Sequence, residues 1–536
     1  MRTFTFKGLF LTAVFMLLGC LSIQAADDDL ITRQITIKLD KAGTLPDKIG
    51  SSKKNLITKL KIVGEVNGTD WCFIREMAGS GYDGKSTEGK LSVLDLSEAK
   101  IVEGGYYYNK YYYYKNCYTS NDVIGKCAFK GCSGLTSLIL PAGITEIGDE
   151  AFEYCSGLTS LTLPDGITEI GSSAFFGCSG LTSLTLPAGI TEISSFAFNR
   201  CSGLTSLTLP DGITEIGSSA FFGCSGLTSL TLPAGITEIS SFAFNRCSGL
   251  TSLTLPDGIT EIGSGAFFGC SGLTSLNLPA GITTIGGSAF EGCSGLTSLN
   301  LPAGITSIGD DAFYGCSGLT SITIPNGVTQ IDKNAFRDCT GLTSFTLPAN
   351  IKRIGESAFE NCSGLTSLNL PAGITTIGSS AFYGCSGLTS LTIPDGVTKI
   401  GKYAFSNCSY LTSLTIPSSV NSLGDYAFKN CSSLQSVHVS WSTPISAGKA
   451  FNKADVSKCT LYVPQGTEQD YFLADVWGDF GNIVEYDPTG IDKVTTSTDA
   501  KELSRYSVNG QRLATPTKGL NIVKYSDGSV KKVVVQ

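Results

Sequence analysis

The sequence predicts a repeat solenoid, mainly β with short helical turns, and three observations predict it. Fourteen cysteines, from Cys132 to Cys431, recur every 23 residues with no insertion or deletion. An Ala-Phe pair stands four residues before each one, from Ala128-Phe129 to Ala427-Phe428. An apolar run with the alternation of a half-buried strand follows each one, as in Leu158-Thr-Ser-Leu161-Thr-Leu163.

One repeat justifies each element in turn. Leu161 and Leu163 alternate with polar residues, which is strand periodicity. Pro164 ends the strand and Asp165-Gly166 makes a turn. Ile167-Thr-Glu-Ile170 is a second short extended segment. Ser172-Ser173-Ala174-Phe175 reads as a cap followed by one helical turn. Cys178-Ser179-Gly180 returns the chain to the next strand. Each repeat buries roughly six apolar side chains, too few to stand alone, so stability must come from stacking. Residues 156–201 and 202–247 are identical, a duplication of two whole repeats.

These leucine-rich repeats resemble the BspA-like surface proteins of anaerobic host-associated bacteria. The motifs that carry the resemblance are Leu-Thr-Ser-Leu-Thr-Leu-Pro, Gly-Ile-Thr-Glu-Ile-Gly, Ala-Phe and Cys-Ser-Gly, over about residues 128–440. The resemblance implies a secreted or surface-exposed protein. It also implies a protein or glycoprotein ligand, since some members bind host matrix and plasma glycoproteins.

An open solenoid needs caps over its terminal apolar faces. Residues 30–127 supply the first, with strand runs at 57–62 and 91–96 that do not fit the 23-residue spacing. Between them, Asn67-Gly-Thr-Asp70 can start a helix carrying Trp71, Ile74 and Met77. The array spans 128–453, and residues 454–486 form the second cap, where Tyr471, Phe472, Trp477 and Phe480 can cover the last coil. Residues 487–500 read as a linker. Residues 501–536 form a small β-module similar to the C-terminal sorting domains of the Bacteroidetes type IX secretion route. The alternative is an accessory β-module without that role.

The first 25 residues read as a signal peptide, with Arg2 and Lys7 ahead of an apolar stretch at 8–19. Ile23-Gln24-Ala25 suits ordinary cleavage, and Leu17-Leu18-Gly19-Cys20 suits a lipobox that would lipidate Cys20. Leu18 is not the small residue usual in a lipobox, which favours ordinary cleavage. The expected location is outside the cell or on the outer surface of a Gram-negative bacterium. No stretch is long and apolar enough for a transmembrane span.

Net charge is −8, concentrated in residues 132–262, where twelve acidic residues face only Arg200 and Arg246. That field repels phosphate and excludes a nucleic-acid partner there. Six acids share one repeat position: Glu146, Glu169, Glu192, Glu215, Glu238 and Glu261. In-register carboxylates repel unless solvated or bridged, so the stripe is either a weak cation or basic-partner site or a solvated face. The strands add ladders of Ser160, Ser183 and Ser206 with Thr162, Thr185 and Thr208. Tyr106, Tyr107, Tyr108, Tyr111, Tyr112, Tyr113 and Tyr114 form an aromatic loop between cap and array. Exposed, these rings suit protein or glycan contact; buried, they pack the cap.

The cysteine ladder reads as small buried thiols, because stacked copies point along parallel vectors and not at each other. Cys72, Cys117, Cys127 and Cys459 lie outside it, and a bond such as Cys117–Cys127 stays open. No catalytic, cofactor or metal motif is present. The only histidine, His438, sits on a strand without a triad partner beside it. The expected function is therefore surface binding or adhesion. A structural spacer without specific ligand and a glycan-binding module are the alternatives. Nothing in the sequence sets the oligomeric state.

Overall fold

The computed structural model describes residues 29–109, 117–486, 502–507, 511–525 and 530–535. The signal segment, the linker, and Tyr111 to Tyr114 lie outside the described residues. The chain divides into two compact units, Met1–Gly327 and Val328–Gln536. Both are built from stacked β-solenoid coils.

The first unit begins with parallel strands β1 (Ile35–Leu39), β2 (Lys59–Val66) and β3 (Val93–Ile101). Their sheet runs on without a break into array strands Ser137–Ile139 and Ser160–Thr162. Leu60, Leu94, Leu138 and Leu161 stand side by side across it. The cap runs break the sequence period but keep the leucines in spatial register, with one shift between Lys61 and Val63, because the extra residues loop out as α1 (Leu45–Ile49) and α2 (Gly68–Met77). Helix α2 starts where the sequence places it. Asn67 accepts the Thr69 N–H at 3.0 Å, and Asp70 accepts the Asn67 N–H at 3.0 Å, a capping box. Trp71, Ile74 and Met77 are buried as expected.

The array coils repeat one hydrogen-bond scheme. Ser183 to Thr185 pair with Ser206 to Thr208, and Glu192-Ile193 with Glu215-Ile216, both in parallel. The segment expected to form one helical turn resolves into linked turns. Ala174, Phe176 and Cys178 each donate N–H to the carbonyl three residues back. Between those bonds, Ser173, Phe175 and Gly177 donate to Ser195, Ala197 and Asn199 of the next coil at 2.7–3.0 Å. Ser173 takes a left-handed φ of 57° to allow this alternation. Among the described residues, helices occur only in the caps.

Coil-to-coil contact explains the invariant residues. The phenylalanines stack face to face, Phe152 on Phe175 at 5.2 Å and 3°. From Cys155 on, ladder thiols reach back to the coil before, as Cys178 Sγ donates to the Phe152 carbonyl at 3.1 Å. Outer threonines do the same at the strand, with Thr205 Oγ1 on the Thr182 carbonyl at 3.0 Å. A Cβ on Gly180 would lie 2.5 Å from the Ser156 carbonyl oxygen, so this coil is closed around a glycine, whereas Tyr410 and Ser433 hold the same position in later coils.

The first coil has no coil before it, and the cap supplies the missing donors. In the array the carbonyls at this edge receive backbone N–H groups, as Ala174 does from Phe152 at 2.7 Å. At the edge of the stack, Tyr108 OH donates to the Lys126 carbonyl at 2.9 Å. Trp71 Nε1 and Arg75 both donate to Ala128 at 2.9 Å, and Arg75 also to Lys130 at 2.9 Å. Side chains thus complete a ladder that main chain completes elsewhere.

In the second unit, short strands from Gln330-Ile331 to Ser422-Leu423 form one parallel sheet. A second sheet runs from Ser390–Thr392 through Ser413–Ile416, Ser436–Val439 and Thr460–Pro464 to Asn482–Tyr486. Its cap carries α3 (Glu468–Leu473). Tyr471 and Trp477 are buried there, donating to the Trp441 and Ile445 carbonyls at 2.9 and 2.7 Å. Phe480 packs on Phe451. Phe472 departs from expectation and points to solvent, because its helix buries the Tyr471 side. Residues 502–507, 512–513, 519–525 and 530–535 form an antiparallel four-stranded sheet.

Candidate functional site

The tyrosine segment separates at an irregularity in its strand pairing, which shifts register between Gly104 and Asn109. Residues Gly104–Asn109 (β4) pair antiparallel with Cys117–Thr119 (β5). Tyr108 points inward, 1% exposed, its ring 6.4 Å from Trp71. It is a cap residue. Tyr106 points out at 73% exposure, and Tyr107 is half-buried.

The two outer tyrosines line a groove of about 390 Å³ with Pro46, Thr69, Cys72, Phe73, Glu76 and Tyr82. Tyr82 meets Tyr107 edge-on at 6.0 Å, and Tyr107 meets Tyr118 at 6.3 Å. Glu76 holds the Lys54 ammonium at 2.6 Å, and that ammonium also lies over the Phe73 ring at 5.9 Å. The groove is therefore aromatic-walled with one paired charge at its rim. Such walls give large rigid contact area at low entropic cost. The sequence reading missed Tyr82, Phe73 and Glu76. One signal was legible: Cys72, Phe73 and Glu76 fall on the face of α2 opposite Trp71, Ile74 and Met77. An aromatic ring on that outer face needs a reason.

The glutamates stack as expected, Glu146 beside Glu169, Glu192 beside Glu215 and Glu238 beside Glu261. Burial, and then the neighbouring Glu169, push the Glu146 carboxyl above its ordinary range. Glu192 and Glu238 accept from Ser194 and Ser240 at 3.4 and 3.3 Å. Each of the six coils from Glu146 to Glu261 contributes one carboxylate to the stripe. Among the described residues, no three His, Cys, Asp or Glu side chains gather as a metal cluster.

The hydroxyl ladders line the open strand face. Ser206, Thr208, Asp211, Ser229 and Thr231 border a shallow groove of about 470 Å³ over buried Leu207 and Leu230. In the second unit, the His438 ring stacks on Tyr462 at 4.2 Å and 3°, and burial lowers its pKa. Stacked imidazole beside tyrosine is an aromatic surface and lacks the carboxylate and nucleophile of a triad. No helix among the described residues is long and apolar enough to cross a membrane.

Comparison with known proteins agrees with this architecture. The model of the BspA type leucine rich repeat region matches in six copies over residues 122–251, 214–343 and 329–457. A leucine-rich repeat protein from Bacteroides ovatus ATCC 8483 is 26% identical, with a TM-score of 0.53, over 70% of this chain and 84% of that one. A leucine rich cell surface protein from Faecalibacterium prausnitzii A2-165 is 35% identical, with a TM-score of 0.42, over 56% of this chain and 84% of that one. No curated protein matches the chain. A leucine-rich-repeat solenoid is a scaffold for binding, through the extended faces its stacking creates. With more than half its length matched by that family's repeats, the chain belongs to the BspA-type leucine-rich-repeat family.

Proposed function

We propose that this protein is an exported adhesion protein of the bacterial surface. It takes a protein or glycoprotein ligand of host origin at the aromatic groove of its N-terminal cap. One observation carries the reading. The cap buries Trp71 and Tyr108 completely, yet leaves Tyr106 and Tyr82 at 73% and 42% exposure around one concave site. Large exposed apolar patches of this kind mark interaction surfaces. The acidic coils that follow favour a ligand with basic character. Export is supported by the signal-peptide pattern of residues 1–25, with Cys20 lipidation as the other route, and by the resemblance of 501–536 to sorting domains.

The test is binding of full-length protein to immobilised matrix and plasma glycoproteins, with glycan arrays in parallel. The expected result is saturable binding to a glycoprotein that weakens about tenfold or more in a Tyr82→Ala/Tyr106→Ala variant of unchanged melting temperature. Binding to deproteinised glycan alone would make it a glycan-binding module. No partner on any panel would make the solenoid a surface spacer.

A further inference from the structure

Two thiols meet where the tyrosine hairpin rests on the first coil. Cys117 opens β5, directly across from Asn109 of β4. The Asn109 side chain donates to the Cys127 carbonyl at 3.4 Å, which seats this end of the hairpin on the Cys127 turn. Cys127 has a left-handed φ of 57° at a turn position that recurs at Phe196 and Phe242. Those two residues are 41% and 43% exposed, whereas Cys127 is fully buried. Ser219 and Ser357 share this turn position and are buried too, so what marks the Cys127 turn is that a second buried cysteine, Cys117, stands beside it. The Cys127 thiol lies within reach of Cys117 and donates to Glu150 Oε2 at 3.6 Å. The ladder thiols behave differently. From Cys155 on they are directed at a phenylalanine carbonyl of the coil before, as in Cys155 on Phe129 at 3.0 Å.

We propose that Cys117 and Cys127 are a disulfide site, closed during export, that staples the tyrosine hairpin to the first coil. The timing rests on the export reading above; the site does not. The reaction is thiol–disulfide exchange with an oxidised dithiol carrier. The Cys117 thiolate attacks the carrier disulfide and forms a mixed disulfide, and the first carrier sulfur leaves and takes a proton. The Cys127 thiolate then attacks the Cys117 sulfur and expels the second. One S–S bond forms and one breaks, and both electrons and both protons pass to the carrier. The Cys127 thiol beside it holds Cys117 below the ordinary thiol range, which suits it to attack first. The closed bond fixes one strand of the hairpin whose partner strand carries Tyr106 and Tyr107, so the groove wall is ordered before ligand arrives.

Full-length protein is equilibrated with mixtures of oxidised and reduced glutathione, then unfolded, alkylated and mapped by peptide mass. The expected result is a single linkage, Cys117 to Cys127, two hydrogens lighter than the dithiol, with all ladder thiols recovered alkylated. Protease cutting of the hairpin should accelerate about tenfold on reduction. A Cys117→Ser variant should cut at the reduced rate in either mixture. Recovery of Cys117 and Cys127 as free thiols in the oxidising mixture, or linkage of either to another cysteine, overturns the proposal. The mapping uses native protein and so decides even if the variant fails to fold. Protease shaving of intact cells reports export separately. An intracellular protein whose pair still closes in glutathione would sink the export reading and leave the site standing.

Discussion

Arg75 donates to the Ala128 carbonyl at 2.9 Å, in the place where each later coil receives a backbone N–H. The guanidinium is fully buried, and Nη1 and Nη2 also donate to Cys127, Ser80, Gly81 and Lys130, with no carboxylate among these partners. Its two planar η nitrogens reach a row of acceptors that a point charge cannot span, while Nε has no partner. Arg75→Met should cost about 3–5 kcal/mol, because it strands several buried carbonyls. Hydrogen exchange should show the loss at residues 126–153 before the rest of the array. Arg75→Lys should recover less than half of it.

Asp70 ties the start of α2 to the loop before α1. Its buried carboxylate accepts N–H from Gly43 at 2.6 Å, Leu45 at 2.8 Å and Asn67 at 3.0 Å. Asp70→Ala leaves three donors without an acceptor and should destabilise the cap by about 2–4 kcal/mol. Chemical denaturation followed by Trp71 fluorescence is the check. A change under about 1 kcal/mol would mean that water replaces the carboxylate.

The thiol ladder makes the array sensitive to alkali. Burial pushes the thiols of Cys224, Cys270, Cys385 and Cys431 up to about 12, from an ordinary 9.0. Above pH 9 the unfolded chain releases these protons and the folded chain keeps them. Stability is therefore whole below about pH 9 and falls as pH rises toward 12. Melting temperature across pH 7–11 should drop steeply above 9. A variant with four ladder cysteines replaced by alanine should drop less, from a lower start.

The glutamate stripe should behave as like charges side by side. Glu215 stands next to Glu192 in parallel register. Glu215→Gln should stabilise by about 0.2–0.5 kcal/mol at low salt, and the gain should vanish at high salt. Calcium titration separates the two readings of the stripe. A melting-temperature rise beyond that of sodium at equal ionic strength would assign a cation site to Glu146 through Glu261. No excess rise would leave a solvated face.

The sequence by itself determined the coil. A 23-residue period without a gap leaves one way to stack identical strands, so Leu161, Phe175 and Cys178 could be placed inside before any coordinate was known. It also placed α2, because Asn67 and Asp70 are a local capping signal three residues apart. Tertiary structure decided what lies at the ends. Arg75 and Ala128 are far apart in sequence, and nothing in the chain announces that one completes the other's ladder. The groove likewise draws Tyr82, Phe73 and Tyr106 from three separate segments, and the irregular pairing of β4 with β5 turned Tyr108 inward and Tyr106 outward. The physical reason is the same in both cases. Within the array each coil's neighbour is a copy of itself, so period alone specifies the contacts. At the cap the neighbour is unique, and its contacts exist only once the chain has folded back on the first coil.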